Sequence, residues 1–366
     1  MSKTIKVRVP GTSANCGPGF DSIGLACSIY NDLELTLSSK EELIIEIFGE
    51  GSNYIPRDER NIIWLAIKKL LQLANAPYKG AHIKMYNNIP LARGLGSSAA
   101  AIVSGLMAAN AAIGNVFDKN KLLQIATEIE GHPDNVAPAL FGGITLSIEN
   151  DGDAKCLSFL PPKPLKLVVA VPEFNLSTKL SRKVLPAKVS LQDAVFNVSR
   201  TAFLVGSLMQ GNFENLQEAL QDKIHQPYRM ELIPGMAEVF DSALNNGALG
   251  AALSGAGPCL IAFVETNEEK IGQAMVETFN KHKVKSCGNE VTLTNKEFKL
   301  LCLLVESKGN VLNRDQLLTN IWGYDFDGET RTVDVHIRSL RQKLGECGKL
   351  IETVRGIGYR IGGNES

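Results

Sequence analysis

The chain has 366 residues, 44% hydrophobic and 21% charged, with 38 Lys+Arg against 39 Asp+Glu. This length suggests two or three domains with real cores, and the net charge of −1 gives the whole chain no pull toward nucleic acid or membrane. Seven dispersed cysteines without a CxxC pair argue against a disulfide framework or a zinc site. With no signal-like apolar segment in residues 1–10 and no apolar run of spanning length, the expectation is a cytoplasmic protein that takes no membrane partner.

In chain order, alternation predicts strands at 6–9, 33–37 and 43–48, and an amphipathic helix at 61–73. Residues 82–86 alternate again. They lead into Pro90-Leu91-Ala92-Arg93-Gly94-Leu95-Gly96-Ser97-Ser98-Ala99-Ala100, which opens an Ala-rich helix over 99–113. A helix at 121–130 and a strand at 143–148 follow. After Pro161, Pro162 and Pro164 come a buried-type strand at 165–171, a helical stretch over 191–221 and a helix at 237–245. A second glycine loop, Ser254-Gly255-Ala256-Gly257-Pro258, precedes a strand at 259–264 and a helix at 268–281. The mixture predicts an α+β fold in layers, with domains at 1–160 and 161–287. Near Gly288 the character changes. A strand at 290–293, helices at 295–307, 314–321 and 330–344, a polar loop at 323–329 and a hairpin at 350–361 predict a third domain over 289–366, three helices and a wing.

Strand, glycine loop and helix start form a phosphate-binding arrangement. Gly94 and Gly96 reach conformations closed to other residues, so successive N–H groups can point into one concavity beside the free N–H groups of the helix. Ser97 and Ser98 offer hydroxyls to a phosphate oxygen or to phosphate-bound Mg2+. In isolation the same residues also fit a glycine turn with a serine cap. Upstream, the glycine-rich turn over 10–21 carries an amide, Asn15, and a carboxylate, Asp21, suited to a polar amino-acid-like ligand. Downstream, Glu130-Gly131-His132-Pro133-Asp134-Asn135 places an acid at a helix end, either for magnesium or for solvent. Asp134 reads as a turn residue capping backbone N–H groups, and His132 and His225 read as structural histidines.

Together these segments resemble the GHMP kinase superfamily, and within it the homoserine kinases, over about residues 5–287. Asn175-Leu176-Ser177-Thr178-Lys179, Arg182-Lys183-Val184-Leu185-Pro186 and His225-Gln226-Pro227-Tyr228-Arg229 carry the narrower likeness. The resemblance implies a two-domain fold, with an N-terminal half like domain 2 of ribosomal protein S5 and a ferredoxin-like C-terminal half. It also implies ATP-dependent phosphorylation of the L-homoserine hydroxyl, a step toward threonine. Residues 90–100 would then hold the ATP phosphates, with Asn61 near the base. Ser98 and Glu130 would ligate Mg2+, with Glu128 as a second candidate for the metal. Asn15, Asp21, Asn135, Thr178, Arg182 and Arg229 would surround homoserine, and Ser98, Glu130, Arg182 and Arg229 would carry catalysis. Asp21 suits the substrate ammonium and an arginine fork its carboxylate, while phosphoryl transfer needs positioning more than a strong base. By analogy with such kinases a homodimer is expected.

From 331 to 360 seven basic residues face three acidic ones. Arg331, Arg338 and Arg341 share a helical face, suited to DNA or simply to solvent. The segments at 293–301, 331–337 and 353–360 resemble the OmpR/PhoB-type winged helix of response regulators. That resemblance implies duplex DNA as partner, contacted by Arg331, His336, Arg338 and Arg341 from the recognition helix and by Thr353 and Arg355 from the wing. Trp322 would pack near the DNA backbone, and residues 323–329 would address RNA polymerase. No receiver domain precedes this segment. At the joint the closing strands of the kinase and the first strands of the winged helix both read as cut short. Three readings follow from the sequence: a kinase with a DNA-binding appendage, a DNA-binding regulator with an inert kinase-like part, or a chimeric fusion impaired in both.

Overall fold

The computed structural model describes residues 3–284, 286–287, 300–301, 303–304, 307, 310–322, 331–344, 350–354 and 356–361. These fall into two compact units, Met1–Asn289 and Glu290–Ser366.

The first unit opens with a long hairpin, β1 (Thr4–Ala14) antiparallel to β2 (Ile23–Ser38). β3 (Leu43–Gly49) runs parallel to β4 (Gly80–Asn87), and β5 (Ile144–Asn150) pairs with β6 (Asp153–Phe159). The sheet order is β3-β4-β2-β5-β6, with β1 also on β2. Alternate residues Leu33, Leu35 and Leu37 of β2, with Ile83 and Met85 of β4, enter the core. That core is closed by α1 (Ile62–Leu73), α2 (Ser97–Ala112), α3 (Lys119–Glu130) and α4 (Pro133–Phe141). α2 is rich in alanine and buried on most sides, so small side chains let it lie between α1 and the sheet.

β1 runs five residues past the predicted strand because residues 11–14 are buried throughout and show no alternation to read. α4 was not expected from the sequence. Pro133 suits its first turn, but Pro138 lies inside it.

The second half of this unit is an antiparallel sheet of β7 (Lys166–Pro172), β8 (Gly250–Leu253), β9 (Leu260–Val264) and β10 (Ser286–Cys287), in the order β10-β7-β9-β8. Around it stand α5 (Thr178–Lys183), α6 (Leu191–Gln210), α7 (Leu216–Ala219), α8 (Gln226–Arg229), α9 (Met236–Asn245) and α10 (Glu268–Lys281). The helical stretch expected over 191–221 is broken at Gly211. Its left-handed backbone (φ 67°) turns the chain, and Asn212 N–H closes α6 on Ser207 O at 3.0 Å.

In the second unit β11 (Leu312–Asn313), β12 (Ile351–Val354) and β13 (Gly358–Ile361) form a small sheet, ordered β11-β13-β12. α11 (Arg314–Trp322) and α12 (Arg331–Lys343) pack Leu317, Ile321, Val333, Ile337 and Leu340 against Ile351 and Tyr359. The strand expected at 290–293, the loop at 323–329 and much of the helix at 295–307 lie outside the described residues.

One close contact sets α4 on the sheet. A Cβ at Gly24 of β2 would lie 2.0 Å from the Asp134 carbonyl oxygen and 2.7 Å from Pro138 Cγ. Gly24→Ala should therefore destabilise the protein by about 1–3 kcal/mol, the usual range for overpacking. Urea unfolding should show a lower midpoint, and an unchanged midpoint would contradict this packing.

Candidate active site

The loop between β4 and α2 is shaped by its neighbours. Gly94 and Gly96 have φ of 82° and 63°, and Gly96 takes the helix cap position. α2 thus begins at Ser97, two residues earlier than expected, and the Ala100 N–H bonds Gly96 O at 2.9 Å. A Cβ on Gly94 would meet Ser254 O at 2.3 Å, and one on Gly96 would meet Thr12 Oγ1 at 1.8 Å. Ser254 Oγ donates to Gly94 O at 2.6 Å, Cys259 N–H to Arg93 O at 3.1 Å, and Thr12 N–H to Leu95 O at 3.0 Å.

Ser98 Oγ donates to Glu130 Oε2 at 2.8 Å. Glu130 ends α3, where Gly131 (φ 96°) turns the chain into α4. Burial raises the Glu130 pKa, partly opposed by the Ser98 hydroxyl and by His132. Glu128 pairs with Lys69 at an exposed position, so it is Glu130 that reaches the loop. Asp134, almost fully buried, bonds His132 Nδ1 at 2.6 Å and the Asn135 amide at 3.2 Å, side chains rather than the backbone N–H groups expected of a turn cap. Asn135 Oδ1 in turn accepts from Thr12 Oγ1 at 2.8 Å.

Across the cavity, Asn15 Nδ2 donates to Gly255 O at 2.9 Å, and its Oδ1 accepts the Asp21 N–H at 3.0 Å. Arg182 forks onto Asp21 at 2.7 and 3.0 Å. The sequence assigned these two groups to opposite ends of a zwitterionic ligand, and here they pair with each other. Arg229 is 1% exposed. Its Nε donates to Ser181 O at 3.2 Å and its Nη1 to Gly255 O at 3.0 Å and His225 Nδ1 at 3.2 Å. Burial, followed by the charge of Arg182, lowers its pKa to about 10. His225 is fully buried, donates from Nε2 to Gly17 O at 2.7 Å and stacks on Phe20 at 5.1 Å, and burial lowers its pKa.

Asn15, Asp21, Asn135, Thr178, Arg182 and Arg229 line the same cavity as Ser98 and Glu130. So do Pro90 and residues 92–98, although Arg93 is engaged by Glu173 O at 2.7 Å and by Asn175. Leu91 turns toward Gly51, while Ala99 and Ala100 are enclosed in α2. Asn61, expected near the nucleotide base, is the buried cap of α1. It accepts the Ile63 N–H at 3.0 Å and donates to Pro56 O at 2.7 Å, outside the cavity lining. The sequence also passed over Ser181, whose carbonyl holds Arg229 and whose hydroxyl bonds Ala256 O at 2.8 Å. No pattern in its short helix marks it.

In the second unit Arg338 and Val335 are exposed one turn apart on α12, Val335 by 65%. His336 Nδ1 donates to Thr332 O at 2.9 Å. Arg341, expected to face DNA, is engaged within the unit. It donates to Ile351 O at 3.0 Å and to Thr353 Oγ1 at 2.9 Å, with its guanidinium 5.7 Å from the Tyr359 ring centre. Arg355 and the side chains of Arg331 and Trp322 lie outside the described residues.

Residues 61–143 match the family of the GHMP kinases N terminal domain, residues 204–281 that of the GHMP kinases C terminal, and residues 288–361 that of the transcriptional regulatory protein, C terminal. The chain is 45% identical over 289 residues to the homoserine kinase of Moorella thermoacetica, covering 79% of this chain and 97% of that protein. It is also 45% identical to the homoserine kinase of Carboxydothermus hydrogenoformans, covering 83% and 98% respectively. The crystal structure of homoserine kinase from Cytophaga hutchinsonii aligns with a TM-score of 0.73 at 34% identity, over 79% of this chain and 94% of that one. These relatives are covered nearly end to end, so little of their length is absent here.

The histidines provide a test. The hydrogen bond to Asp134 raises the His132 pKa despite burial, whereas burial lowers that of His225. In a proton NMR titration of the five histidines, His132 should titrate above about 6.5 and His225 below it. Because the His132 pKa is raised by folding, its pair with Asp134 stabilises the fold fully below about 6.5 and loses that effect as pH rises through the folded-state value. Asp134→Asn should bring the His132 midpoint down. A midpoint that does not move would show that the pair does not set it.

Proposed function

The first unit makes the chain a member of the homoserine kinases within the GHMP kinase superfamily, and on that premise we propose how its residues move the γ-phosphoryl group of ATP onto the side-chain hydroxyl of L-homoserine. The observation that carries the reading is a single cavity. Gly94, Gly96, Ser98 and Glu130 line it on one side, and Asn15, Asp21, Arg182 and Arg229 on the other.

The triphosphate lies against the N–H groups of residues 94–98 at the start of α2, where the helix dipole and free donors favour an anion. Ser98 and Glu130 are two hard oxygen donors 2.8 Å apart, and a carboxyl that burial makes costly to ionise suits a cation beside it. They would hold Mg2+, which when bound neutralises phosphate charge. Homoserine arrives as a zwitterion and exchanges the Arg182–Asp21 pair for two pairs of its own, its ammonium on Asp21 and its carboxylate on Arg182 and Arg229. Arg229 is held from three sides, so its charge is already oriented. Asn15, Asn135 and Thr178 complete the acceptor side. Asp134 is occupied by His132 and Asn135 and positions the latter. The step depends on alignment and charge neutralisation rather than on a strong base. The product, O-phosphohomoserine, leads toward threonine. We place the enzyme in the cytoplasm, in keeping with the free thiols of Cys16, Cys27, Cys156 and Cys259.

A coupled ADP-release assay tests this. Turnover should require both homoserine and Mg2+, and Arg229→Ala should lower kcat/KM by about 10²–10³-fold, as when a buried charged partner is removed. Turnover independent of homoserine, or an Arg229→Ala enzyme of normal efficiency, would overturn the assignment.

For the second unit we propose binding to duplex DNA, with α12 in the major groove. Arg338 suits a guanine edge and Val335 a thymine methyl. By the family likeness Arg331, His336, Thr353 and Arg355 would also contact the duplex, while Arg341 ties Ile351 and Thr353 of β12 to α12. Fluorescence anisotropy on a direct-repeat duplex should show affinity that falls steeply with salt, and about tenfold weaker binding for Arg338→Ala. Unchanged affinity in that variant would count against the reading.

A further inference from the structure

A guanidinium has five N–H donors, and three of those on Arg229 are taken inside the protein. Nε donates to Ser181 O, and Nη1 donates to Gly255 O and to His225 Nδ1. Among the described residues nothing accepts from Nη2, so its two N–H groups are left for a ligand in the cavity that Arg229 lines. The direction of that free edge is set by the three bonds behind it. Two of them run to backbone carbonyls. The third runs to a side chain, His225.

The tautomer of that ring is forced. Arginine only donates, so Nδ1 accepts, and Gly17 O only accepts, so Nε2 carries the proton at 2.7 Å from it. His225 is fully buried, and burial lowers its pKa, which keeps the ring neutral and the acceptor in place. Asp222, equally buried, stands 3.5 Å from Nε2 but has nothing left to offer it. Its Oδ1 accepts from Asn197 Nδ2 at 2.7 Å and the Ile224 N–H at 2.9 Å. Its Oδ2 accepts the N–H groups of His225 at 2.9 Å and Gln226 at 2.6 Å. Four donors fill the four lone-pair sites of a carboxylate, so Asp222 fixes the backbone that carries the ring and leaves Nε2 to Gly17. Gln226 adds a second tie, its Oε1 accepting the Leu253 N–H at 2.7 Å. Phe20 stacks on the ring at 5.1 Å, with the guanidinium groups of Arg229 and Arg182 5.3 and 5.5 Å from its own centre.

We propose that His225 is a positioning residue for homoserine, holding the Arg229 guanidinium through Nδ1 in the orientation that meets the substrate carboxylate. This rests on the placement of that carboxylate at Arg229 made above. The role concerns one substrate. Both ring nitrogens bond on the acceptor side of the cavity, to Arg229 and to the turn that carries Asp21, and neither bonds the loop over 90–100. It also concerns one nitrogen. A histidine that only filled the core would be replaced equally well by any side chain of its size. A histidine that aims Arg229 can be replaced only by a side chain with an acceptor at the place of Nδ1.

Two variants of the full chain separate the nitrogens. In His225→Asn the amide oxygen takes the place of Nδ1 and can accept from Arg229. In His225→Gln the longer side chain puts its amide at the place of Nε2, which keeps the bond to Gly17 O and leaves Arg229 without its acceptor. Steady-state kinetics should give a homoserine KM raised about tenfold in His225→Gln and no more than about threefold in His225→Asn. The KM for ATP should stay within about twofold of wild type in both, because the lost bond serves the other substrate. Circular dichroism checks that each variant is folded. His225→Ala, with neither nitrogen, should behave as His225→Gln and replaces it if that variant misfolds. If His225→Asn misfolds, the split between the two KM values in His225→Gln decides alone. A homoserine KM that rises alike in the Asn and Gln variants, a wild-type value in folded His225→Gln, or an equal rise in the KM for ATP would overturn the proposal. Arg229→Ala keeps this outcome apart from the site assignment. A normal homoserine KM in that variant would remove the carboxylate from Arg229, whereas a raised one beside indistinguishable His225 variants would remove only the role of His225.

Discussion

The site depends on the closure of two glycine loops against each other. The loop before α2 and the loop between β8 and β9 belong to different sheets, yet they approach so closely that no side chain fits at Gly94. Ser254 Oγ bonds both Gly94 O and Ser13 Oγ, and Gly255 N–H bonds Ala14 O. Gly255 O then accepts from Asn15 and Arg229 together. Each such bond is worth only about 1 kcal/mol net, but leaving these buried groups unpaired would cost more, so the arrangement is held as a set. The loop over 90–100 and the residues across the cavity from it are thereby placed relative to one another by the backbone of a third segment.

A buried charge network follows from that closure. Arg229 cannot leave its pocket because Ser181 O, Gly255 O and His225 hold it from three sides. His225 accepts from a guanidinium on one nitrogen and donates to Gly17 O from the other, which requires the neutral ring. Asp222 fixes the backbone around it, accepting the N–H groups of Ile224, His225 and Gln226 at 2.6–2.9 Å. Of the two positive charges that Arg229 and Arg182 bring to the cavity, Asp21 offsets one, by pairing with Arg182.

Which parts of this were legible in the sequence depended on how far the signal was local. β2, α1 and α10 show their periodicity because one side of each faces the core and the other water. The loop over 90–100 was legible because two glycines between a strand and a helix start are a local signal, which the neighbouring segments separated from a plain capped turn. The end of β1 was not, since residues buried on both sides do not alternate, and α4 was hidden by Pro138. Asn61 is a different case. An Asn immediately before an amphipathic helix is a cap signal, and that role was readable from its local chemistry apart from any place near the nucleotide that the family likeness implies. The Arg182–Asp21 pair could not be read at all, because residues so far apart in sequence become neighbours only when the two sheets meet.

The second unit shows the same division between formal charge and available charge. Seven basic residues stand between 331 and 360, and a count treats them alike. Arg341 is turned to Ile351 O and Thr353, and Arg360 to Glu352 at 2.7 Å. Asp334 of α12 receives both Arg314 Nε at 2.8 Å and Tyr359 Oη at 2.6 Å, which ties both helices to β13. These bonds stabilise the seating of α12 on its sheet, and they subtract from the charge that can meet a phosphate. Specificity would then rest on fewer and better-placed side chains than the composition implies. Arg338 and Val335, exposed side by side on the helix that the rest of the unit holds in place, are the pair best placed for it.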